Sequence, residues 1–257
     1  MMLVKQKIRL PIITYHSIDE SGSVISTRPE VFRRQMEFLS DKGYRAVSLG
    51  QMVAELTENS SPPLKTVALT FDDGFQNFFS EAFPVLEKHG FRATVFLVTD
   101  HCGGHNDWAG NPPELPRSRL LDWPEIRQLN AGGIEFGVHT RTHPDLTKMS
   151  EPEIESEIAG AKTAIEDALG EKADTFAYPF GRFNPVVKRI AEKHFKAACS
   201  TNLGKVRRGS DLHSLERIDS YYLSSQRVFG KLPTRTFDRY MQIRQAMRSF
   251  KSFIYQN

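Results

Sequence analysis

The sequence predicts an α/β fold built on a parallel sheet, either open or closed into a barrel. Short apolar segments alternate with longer segments of helical periodicity along the 257 residues, and repeated strand-then-helix units are typical of parallel sheets. The length suits one domain of the larger α/β kind, at most with a small appendage. Hydrophobic residues make up 39% of the chain and charged residues 25%, so the composition is that of an ordinary soluble globular protein.

The predicted elements follow from this alternation. Strands are expected at residues 10–15, 44–49, 66–71, 92–98, 134–138, 175–178 and 196–200. Helices are expected at residues 29–42, 50–56, 77–89, 121–130, 151–169 and 184–194. We expect Pro84 to kink or divide the third of these helices. Ser150 and Glu153 have the spacing of a capping box at the start of the fifth.

Charge and cysteine content exclude several classes of protein. The 34 basic and 31 acidic residues are spread through the chain, so a net charge of +3 gives little support for nucleic-acid binding. Cys102 and Cys199 form neither a disulfide framework nor a cysteine metal motif. Residues 1–11 lack an apolar run of signal-peptide length, and no segment has the length of a membrane span. The sequence as written therefore predicts a cytoplasmic protein.

Two adjacent carboxylates, Asp72 and Asp73, directly follow the predicted strand 66–71. Neighbouring side chains alternate along a strand, but a turn at Gly74 can bring both aspartates into one cavity. Two ionised carboxylates at close range repel unless a cation lies between them or one takes up a proton. A bound metal ion is one solution, and a strand-end turn with a solvated second aspartate is the conservative alternative.

Two histidine pairs have a spacing of four residues, which lets both imidazoles face one ion if the segment turns helically. His139 and His143 follow the predicted strand 134–138. His101 and His105 lie in the long loop 101–117, where intervening glycines disfavour a helical turn. We therefore interpret the second pair as loop or substrate-rim residues and keep it as the rival metal site.

Strand ends connect these observations. His16, Asp72, Asp73, His139 and His143 all follow apolar segments that are predicted strands. In parallel α/β folds the carboxyl ends of strands gather on one face, where active sites lie. One aspartate and two histidines with an open position form a catalytic metal site of the zinc type. The other aspartate would then be free to act as a base.

The motifs resemble those of the polysaccharide deacetylases, carbohydrate esterase family four with its NodB-homology domain. Residues 70–74 match the first motif, residues 139–143 the second and residues 176–181 the third, over a similarity that spans about residues 10–222. Within the family the chain looks most similar to the circularly permuted branch typified by poly-β-1,6-N-acetylglucosamine deacetylases. The resemblance implies a deformed (β/α) barrel of about seven parallel strands. It also implies a divalent metal ion, usually zinc but cobalt, nickel or iron in some members.

The resemblance also implies roles for individual residues. Asp73, His139 and His143 would be metal ligands, and Asp72 the general base that takes a proton from the attacking water. The substrate would be the acetamide of an N-acetylated saccharide, present in a polysaccharide, an oligosaccharide or a lipid-linked sugar. The backbone N–H of Phe180 would help to stabilise the oxyanion. We take Tyr178, Phe180 and Trp108 as candidate substrate contacts.

The chain departs from the family pattern at two places. The third motif usually contains an arginine that steers the base, and Ala177 stands at that position. Either Arg182 or Arg217 could replace this arginine in steering the base, and we take Arg217 as the candidate. The last motif of the family has no convincing match, because His213 lies in a polar loop. The permuted branch places the acid-bearing histidine after the first strand, which makes His16 the candidate acid.

The C-terminal segment, residues 233–257, lies beyond the resemblance and is treated as a helix packed on or appended to a domain of residues 1–232. Its apolar residues at near-helical spacing are Phe237, Tyr240, Met241, Met247, Phe250 and Ile254. Its positive charges are Arg235, Arg239, Arg244, Arg248 and Lys251. The conservative interpretation is a terminal helix with its basic face in water. The alternative is a basic amphipathic helix that contacts an anionic membrane or a partner subunit.

Two other functions remain open at this stage. A carbohydrate-binding protein that has lost turnover is one, because the third-motif arginine is missing. A metal-dependent esterase of O-acetyl groups, or an amide hydrolase acting on a substrate other than a sugar, is the other. The sequence does not predict the sugar, its linkage, the physiological metal or the oligomeric state.

Overall fold

The computed structural model describes residues 9–58, 63–112 and 114–255, with only the backbone described for residues 250–255. The strands in these ranges are β1 (Ile12–Tyr15), β2 (Ser17–Ile18), β3 (Ser26–Thr27), β4 (Arg45–Val47), β5 (Thr66–Phe71), β6 (Thr94–Leu97), β7 (Glu135–Val138), β8 (Thr175–Ala177), β9 (Ala197–Leu203) and β10 (Leu215–Asp219). The α-helices are α1 (Pro29–Asp41), α2 (Leu49–Thr57), α3 (Phe83–Lys88), α4 (Trp123–Ala131), α5 (Glu151–Leu169), α6 (Pro185–His194), α7 (Gln226–Phe229) and α8 (Arg235–Tyr255).

Seven parallel strands close into a barrel. Each strand pairs with the next in the order β1-β10-β9-β8-β7-β6-β5, and β5 pairs with β1 from Ala68 opposite Ile12 to Phe71 opposite Tyr15. Since β1 occupies one edge of β5, β4 and β6 divide the other edge, β4 along its first half and β6 along its second. The barrel is therefore deformed at this strand, and the predicted fold is confirmed.

The barrel forms because its strands are apolar on both faces, as strands covered by helices must be. Every residue of β1 and of β5 is buried. The helices lie outside and each presents one apolar face, such as Phe32, Met36 and Leu39 of α1. This arrangement leaves the carboxyl ends of the strands open at one end of the barrel, where the predicted site residues lie.

Two helix details agree with the sequence. The predicted helix 77–89 is divided into a π-helical turn, Phe78–Ala82, and α3, which has Pro84 in its first turn. Proline disrupts the regular i to i−4 hydrogen bonds of a helix, and the π-helical turn lies directly before α3. At the start of α5 the Ser150 N–H donates to the carboxylate of Glu153 at 2.8 Å, as the capping box predicts.

Three strands were not predicted. The two-residue strands β2 and β3 pair with each other between the predicted strand 10–15 and the predicted helix 29–42. The strand β10 is a full member of the barrel although its sequence carries Glu216 and Arg217. Prediction relied on apolar segments, and the charged Arg217 interrupts the apolar pattern of this strand, so the strand was not detected. Its guanidinium lies inside the protein for the reason given below.

The C-terminal helix α8 packs against the barrel by one face. Phe237 and Met241 are buried in the main core, whereas Ile243 and Met247 are 60% and 58% exposed. The side chains of Phe250, Lys251 and Ile254, which belong to the predicted amphipathic pattern, lie outside the described residues. None of the helices in the described ranges combines the length and the apolar character that a bilayer span requires.

Candidate active site

The site is built from side chains at the carboxyl ends of the barrel strands. Asp72 and Asp73 follow β5, His139 follows β7 and His16 follows β1, while Arg217 belongs to β10. Parallel strands bring these ends to one mouth of the barrel. Of the five residues all except His16 are buried. The structure therefore brings together the side chains that the sequence predicted to meet.

Backbone strain is concentrated in the three sequence motifs. Within the described ranges, the non-glycine residues with positive φ are Asp73 (73°), Thr140 (70°), His143 (59°) and Phe180 (57°). A left-handed conformation costs a non-glycine residue on the order of 1–3 kcal/mol and persists only where the surrounding structure enforces it. The turn at Asp73 explains how both adjacent aspartates reach one cavity.

Asp73, His139 and His143 form a cluster suited to a metal ion. The Oδ1 atom of Asp73 lies 3.4 Å from Nε2 of His139 and 3.5 Å from Nε2 of His143, and all three candidate ligand atoms lie within 4.8 Å of one another. Ligands around a tetrahedral zinc ion, with bonds of about 2.0–2.2 Å, are separated by about 3.4 Å. The spacing and the chemistry of the donors therefore fit a divalent cation of this type.

The tautomer of His139 supports this fit. Its Nδ1 atom lies 2.7 Å from the carbonyl oxygen of Ala177, and because a carbonyl only accepts, Nδ1 carries the proton. In a neutral imidazole the lone pair of Nε2 then points towards the Asp73 carboxylate, which also only accepts. Burial lowers the pKa of His139, but the Asp73 hydrogen bond and the charges of both aspartates outweigh it and raise that pKa. A proton on Nε2, or a cation in its place, resolves the conflict.

Asp72 is held by a buried arginine. Both Nη atoms of Arg217 donate to the two Asp72 carboxylate oxygens at 2.7 Å, and Nε of Arg217 donates to the carbonyl of Ser200 at 2.9 Å. Burial alone would raise the pKa of Asp72, but the charge and hydrogen bonds of Arg217 hold it well below its usual value. Asp72 is therefore an ionised carboxylate in one fixed orientation.

His16 lies between Asp72 and solvent. Its Nε2 atom is 3.9 Å from Oδ2 of Asp72, and its side chain is 21% exposed, compared with 4% for Asp72. At this distance the two groups share an ion pair only when His16 is protonated. The imidazole is therefore accessible from outside the barrel while remaining next to the buried carboxylate.

Aromatic rings enclose His143. The ring centroids of Trp108 and Phe180 each lie 4.6 Å from that of His143, and no hydrogen-bond partner of its Nδ1 atom is found among the described residues. Burial, together with the nearby His139 charge, lowers the pKa of His143 to about 3. The imidazole is therefore neutral at physiological pH, which is the form that binds a metal.

Comparison with known proteins identifies the family. The profile of the family described as polysaccharide deacetylase matches residues 59–196, which is more than half of the chain. The chain belongs to this family. Its members that are named deacetylases are hydrolases of carbon–nitrogen bonds other than peptide bonds.

Three relatives illustrate how far the similarity extends. The protein YxkH of Bacillus subtilis (strain 168) is 28% identical over 211 residues, which are 82% of this chain and 71% of YxkH. The structure of the Streptococcus pyogenes deacetylase PplD in complex with acetate has 28% identity and a TM-score of 0.74, covering 83% of this chain and 93% of PplD. The poly-β-1,6-N-acetyl-D-glucosamine N-deacetylase of Escherichia coli (strain K12) is 27% identical over 142 residues, which are 50% of this chain. That match covers 20% of the E. coli protein, so this chain is similar to a fifth of its length.

Among the predicted substrate contacts of this deacetylase, Tyr178 is placed differently from the expectation. Its side chain has no exposed surface, it stacks on Phe183, and its hydroxyl donates to the carbonyl of His213 at 2.9 Å. A side chain without exposed surface cannot contact a substrate unless the core opens. We therefore assign no substrate contact to Tyr178. Phe180 and Trp108 both lie against His143.

The arginine alternatives separate clearly in the deacetylase structure. Arg182 is largely exposed and pairs with Asp145 at 2.8 Å, away from Asp72. Arg217 contacts Asp72 directly. Its strand lies two places along the barrel from β8, which carries Ala177. A long side chain on a different strand thus reaches the aspartate that Ala177 cannot reach.

The rival histidine pair does not form a metal site in the described residues. His101 Nδ1 lies 3.1 Å from the backbone carbonyl of His105, and the His101 ring packs edge-on against Trp108. The cluster of three potential ligands found in the described ranges is that of Asp73, His139 and His143. The interpretation of the pair as loop residues is consistent with this placement.

One buried acidic residue near the deacetylase site was missed. Glu157 on α5 accepts hydrogen bonds from the turn between His139 and His143. The sequence does carry a signal for it. The buried stripe of α5 includes Ile154, Ile158 and Ala161, and a glutamate within such a stripe needs a buried donor. Without the fold, however, the sequence could not say which donor.

Proposed function

We propose that this protein is a metal-dependent N-deacetylase that hydrolyses the acetamide of an N-acetylated saccharide to a free amine and acetate. The observation that carries the proposal is the juxtaposition of a candidate metal cluster with an ionised, arginine-bound carboxylate at one mouth of the barrel. An acetamide needs an activated nucleophile, stabilisation of the oxyanion and a protonated leaving group. The residues around this mouth can supply or support all three.

Asp73, His139 and His143 would hold the divalent ion. One oxygen and two nitrogen donors suit zinc, and cobalt, nickel and iron(II) accept the same set. When bound, the ion would polarise the acetamide carbonyl as a Lewis acid and lower the pKa of a bound water towards neutral pH. The Nδ1–H tautomer of His139 leaves its Nε2 lone pair free for that role, and the neutral form of His143 can offer an Nε2 lone pair in its own Nδ1–H tautomer.

Asp72 would act as the general base. Its carboxylate would accept a proton from the attacking water at an Oδ atom. Arg217 keeps that carboxylate ionised and fixes both of its oxygens, so that no reorientation is needed when the proton moves. Because the carboxylate is already deprotonated and oriented, neither a deprotonation nor a reorientation has to precede the proton transfer.

His16 would act as the general acid. Its Nε2 atom faces Asp72 at 3.9 Å on the solvent side, and a proton on that atom could pass to the departing amine. Amines leave poorly unless they are protonated. The N–H of Phe180 would donate to the oxyanion, and Trp108, packed on His143, would exclude water from one side of the site.

The names of two relatives support the proposed substrate class. The E. coli relative is named for deacetylation of poly-β-1,6-N-acetyl-D-glucosamine, and PplD has been solved with acetate, which would be the second product here. These names support an N-acetylglucosamine-type polysaccharide, oligosaccharide or lipid-linked sugar as the substrate. The carbohydrate-binding alternative loses its main support, because Arg217 reaches the carboxylate that the missing third-motif arginine would steer.

We also propose that α8 can contact an anionic membrane surface. Ile243 and Met247 are exposed on this helix, and Arg235 and Arg239 are exposed on the turns that precede them. Exposed apolar and basic side chains on one helix are typical of peripheral membrane contact. The cytoplasmic location stays a prediction.

The deciding experiment measures acetate release. The full chain is loaded with zinc and incubated with β-1,6-linked N-acetylglucosamine oligomers, and acetate and new amines are quantified together. We expect equal amounts of both, with no release by Asp72→Asn. Saccharide binding without acetate would favour the carbohydrate-binding alternative. Release from O-acetylated but not from N-acetylated glycans would favour the esterase.

A further inference from the structure

The turn that carries His143 is strained and needs support. Thr140 and His143 both have positive φ, at 70° and 59°. For a β-branched residue such as Thr140 this conformation is rare. A turn of this kind keeps its shape only when contacts on several sides enforce it. Its shape decides where Nε2 of His143 lies relative to Asp73.

Neighbouring backbone groups hold the carbonyl side of the turn. The N–H of Thr99 donates to the carbonyl of Thr140 at 3.2 Å, and the N–H of Asp100 donates to the carbonyl of Arg141 at 3.0 Å. Within the turn, the N–H of His143 donates to Oγ1 of Thr140 at 3.0 Å. These contacts leave the N–H groups of residues 141 and 142 to be satisfied from the other side.

Glu157 supplies that other side. Its Oε2 atom accepts from the N–H groups of both Arg141 and Thr142 at 2.9 Å, and its Oε1 atom accepts from Oγ1 of Thr142 at 2.9 Å. The side chain is 8% exposed. A buried carboxylate is costly unless it is fully hydrogen-bonded, so three donors from one turn account for its presence on the core-facing stripe of α5.

We propose that Glu157 is a positioning residue for the metal centre, holding the strained turn so that Nε2 of His143 stays beside Asp73. The inference rests on the proposed function, because it concerns the ligands of the proposed ion. Without the Glu157 oxygens as acceptors for the N–H groups of Arg141 and Thr142, the turn would relax towards negative φ. His143 would then move away from Asp73, and the ion would lose a ligand. Glu157 acts by the reach of its oxygens rather than by its charge.

Two conservative variants separate reach from charge. Glu157→Gln keeps the chain length and an acceptor oxygen for the two N–H groups, while the Thr142 hydroxyl can turn to accept from the new amide. Glu157→Asp keeps the charge but withdraws the oxygens by about one C–C bond, roughly 1.5 Å. If the length of the side chain matters, because it places the oxygens at the turn, the aspartate variant should bind metal more weakly than the glutamine variant. An effect of negative charge on the cation predicts the reverse order.

A matched control lies on the same helix. Glu166 also accepts from a backbone N–H, that of Ala173 at 3.0 Å, at the other end of α5. Glu166→Ala should lower the thermal stability of the metal-free chain without changing its zinc affinity. This control removes a glutamate-to-backbone contact of the same chemistry from a place outside the site.

The test measures zinc affinity by competition with a chromophoric chelator, alongside the melting temperature of each metal-free variant. Loss of outer contacts to metal ligands typically costs 10–100-fold in affinity, and we expect about that loss for Glu157→Ala and a smaller one for Glu157→Asp. The zinc affinity of Glu157→Gln should stay within a few-fold of that of the wild type.

The inference is overturned if the wild type and the alanine and aspartate variants bind zinc equally well. It is also overturned if the glutamine variant binds zinc more weakly than the aspartate variant. If Glu157→Ala does not fold, the aspartate and glutamine pair decides. Absence of zinc binding by the wild type would instead overturn the proposed function.

Discussion

Arg217 and Asp72 form a bidentate ion pair inside the barrel, with both Nη-to-Oδ distances at 2.7 Å. The two side chains are 2% and 4% exposed. Charges this deeply buried are stable only when paired and hydrogen-bonded. The pair therefore fixes the orientation of a carboxylate and also joins β10 to the end of β5.

Replacing Arg217 by methionine should destabilise the fold and reduce turnover. Removing one partner of a buried pair leaves an uncompensated charge and typically costs about 3–5 kcal/mol. Urea unfolding of the metal-free chain gives the loss of stability, and acetate release gives the loss of turnover. Arg182→Met is the control, since its exposed pair with Asp145 should contribute only about 0–1 kcal/mol. Equal effects of the two substitutions would contradict the role of Arg217.

The same pair predicts how stability depends on pH. The pKa of Asp72 in the folded chain lies well below its usual value of 3.8. The group therefore stabilises the fold above that usual value, and the contribution is lost as the pH falls through the folded pKa, because the unfolded chain takes up the proton first. We expect the difference in free energy of unfolding between wild type and Asp72→Asn to stay constant above about pH 5 and to shrink as the pH falls below about 4. A difference independent of pH in metal-free protein would contradict this expectation.

The proposed division of roles between the two aspartates and the histidines predicts different metal contents. Asp72→Asn should retain the metal and lose turnover, since Asp72 is not among the candidate ligands. His139→Ala should lose both, because it removes one of three donors. Metal analysis of the freshly purified variants checks this, with turnover measured before and after chelation of the wild type. Asp72→Asn losing as much metal as His139→Ala would refute the assignment.

The proposed acid role of His16 predicts a dependence on the leaving group. His16→Gln should reduce kcat on an N-acetylated saccharide by about 10²–10⁴-fold, the usual contribution of general acid catalysis. On 4-nitrophenyl acetate the loss should be far smaller, because nitrophenolate leaves without a proton. Similar losses on both substrates would indicate that His16 has another role, such as holding Asp72.

The exposed face of α8 gives a fifth prediction. Replacing both Ile243 and Met247 by serine should reduce flotation with anionic liposomes. Both side chains are more than half exposed, so stability should change little. Truncation after Leu232 is a poorer test because it also removes Phe237 and Met241 from the core. Unchanged flotation of the double variant would contradict the membrane contact.

Much of the barrel could be predicted because its strands are short apolar segments separated by helices of clear periodicity. The strands up to β9 that contribute to the barrel overlap the predicted segments. β10 could not be predicted because its inward position carries Arg217, whose charge is compensated only by Asp72, 145 residues earlier in the chain. Residue patterns report local burial, whereas this compensation depends on contacts between distant strands.

The sequence by itself determined the order of apolar strands and the polar residues that follow them, and this was enough to predict Asp72, Asp73, His139 and His143 as neighbours. The tertiary structure decided which arginine reaches Asp72, that Tyr178 is a core residue, and that Glu157 supports the turn of His143. The physical reason is that parallel strand ends must converge wherever the barrel closes. Which long side chain satisfies a buried charge depends on distances that exist only in the folded chain.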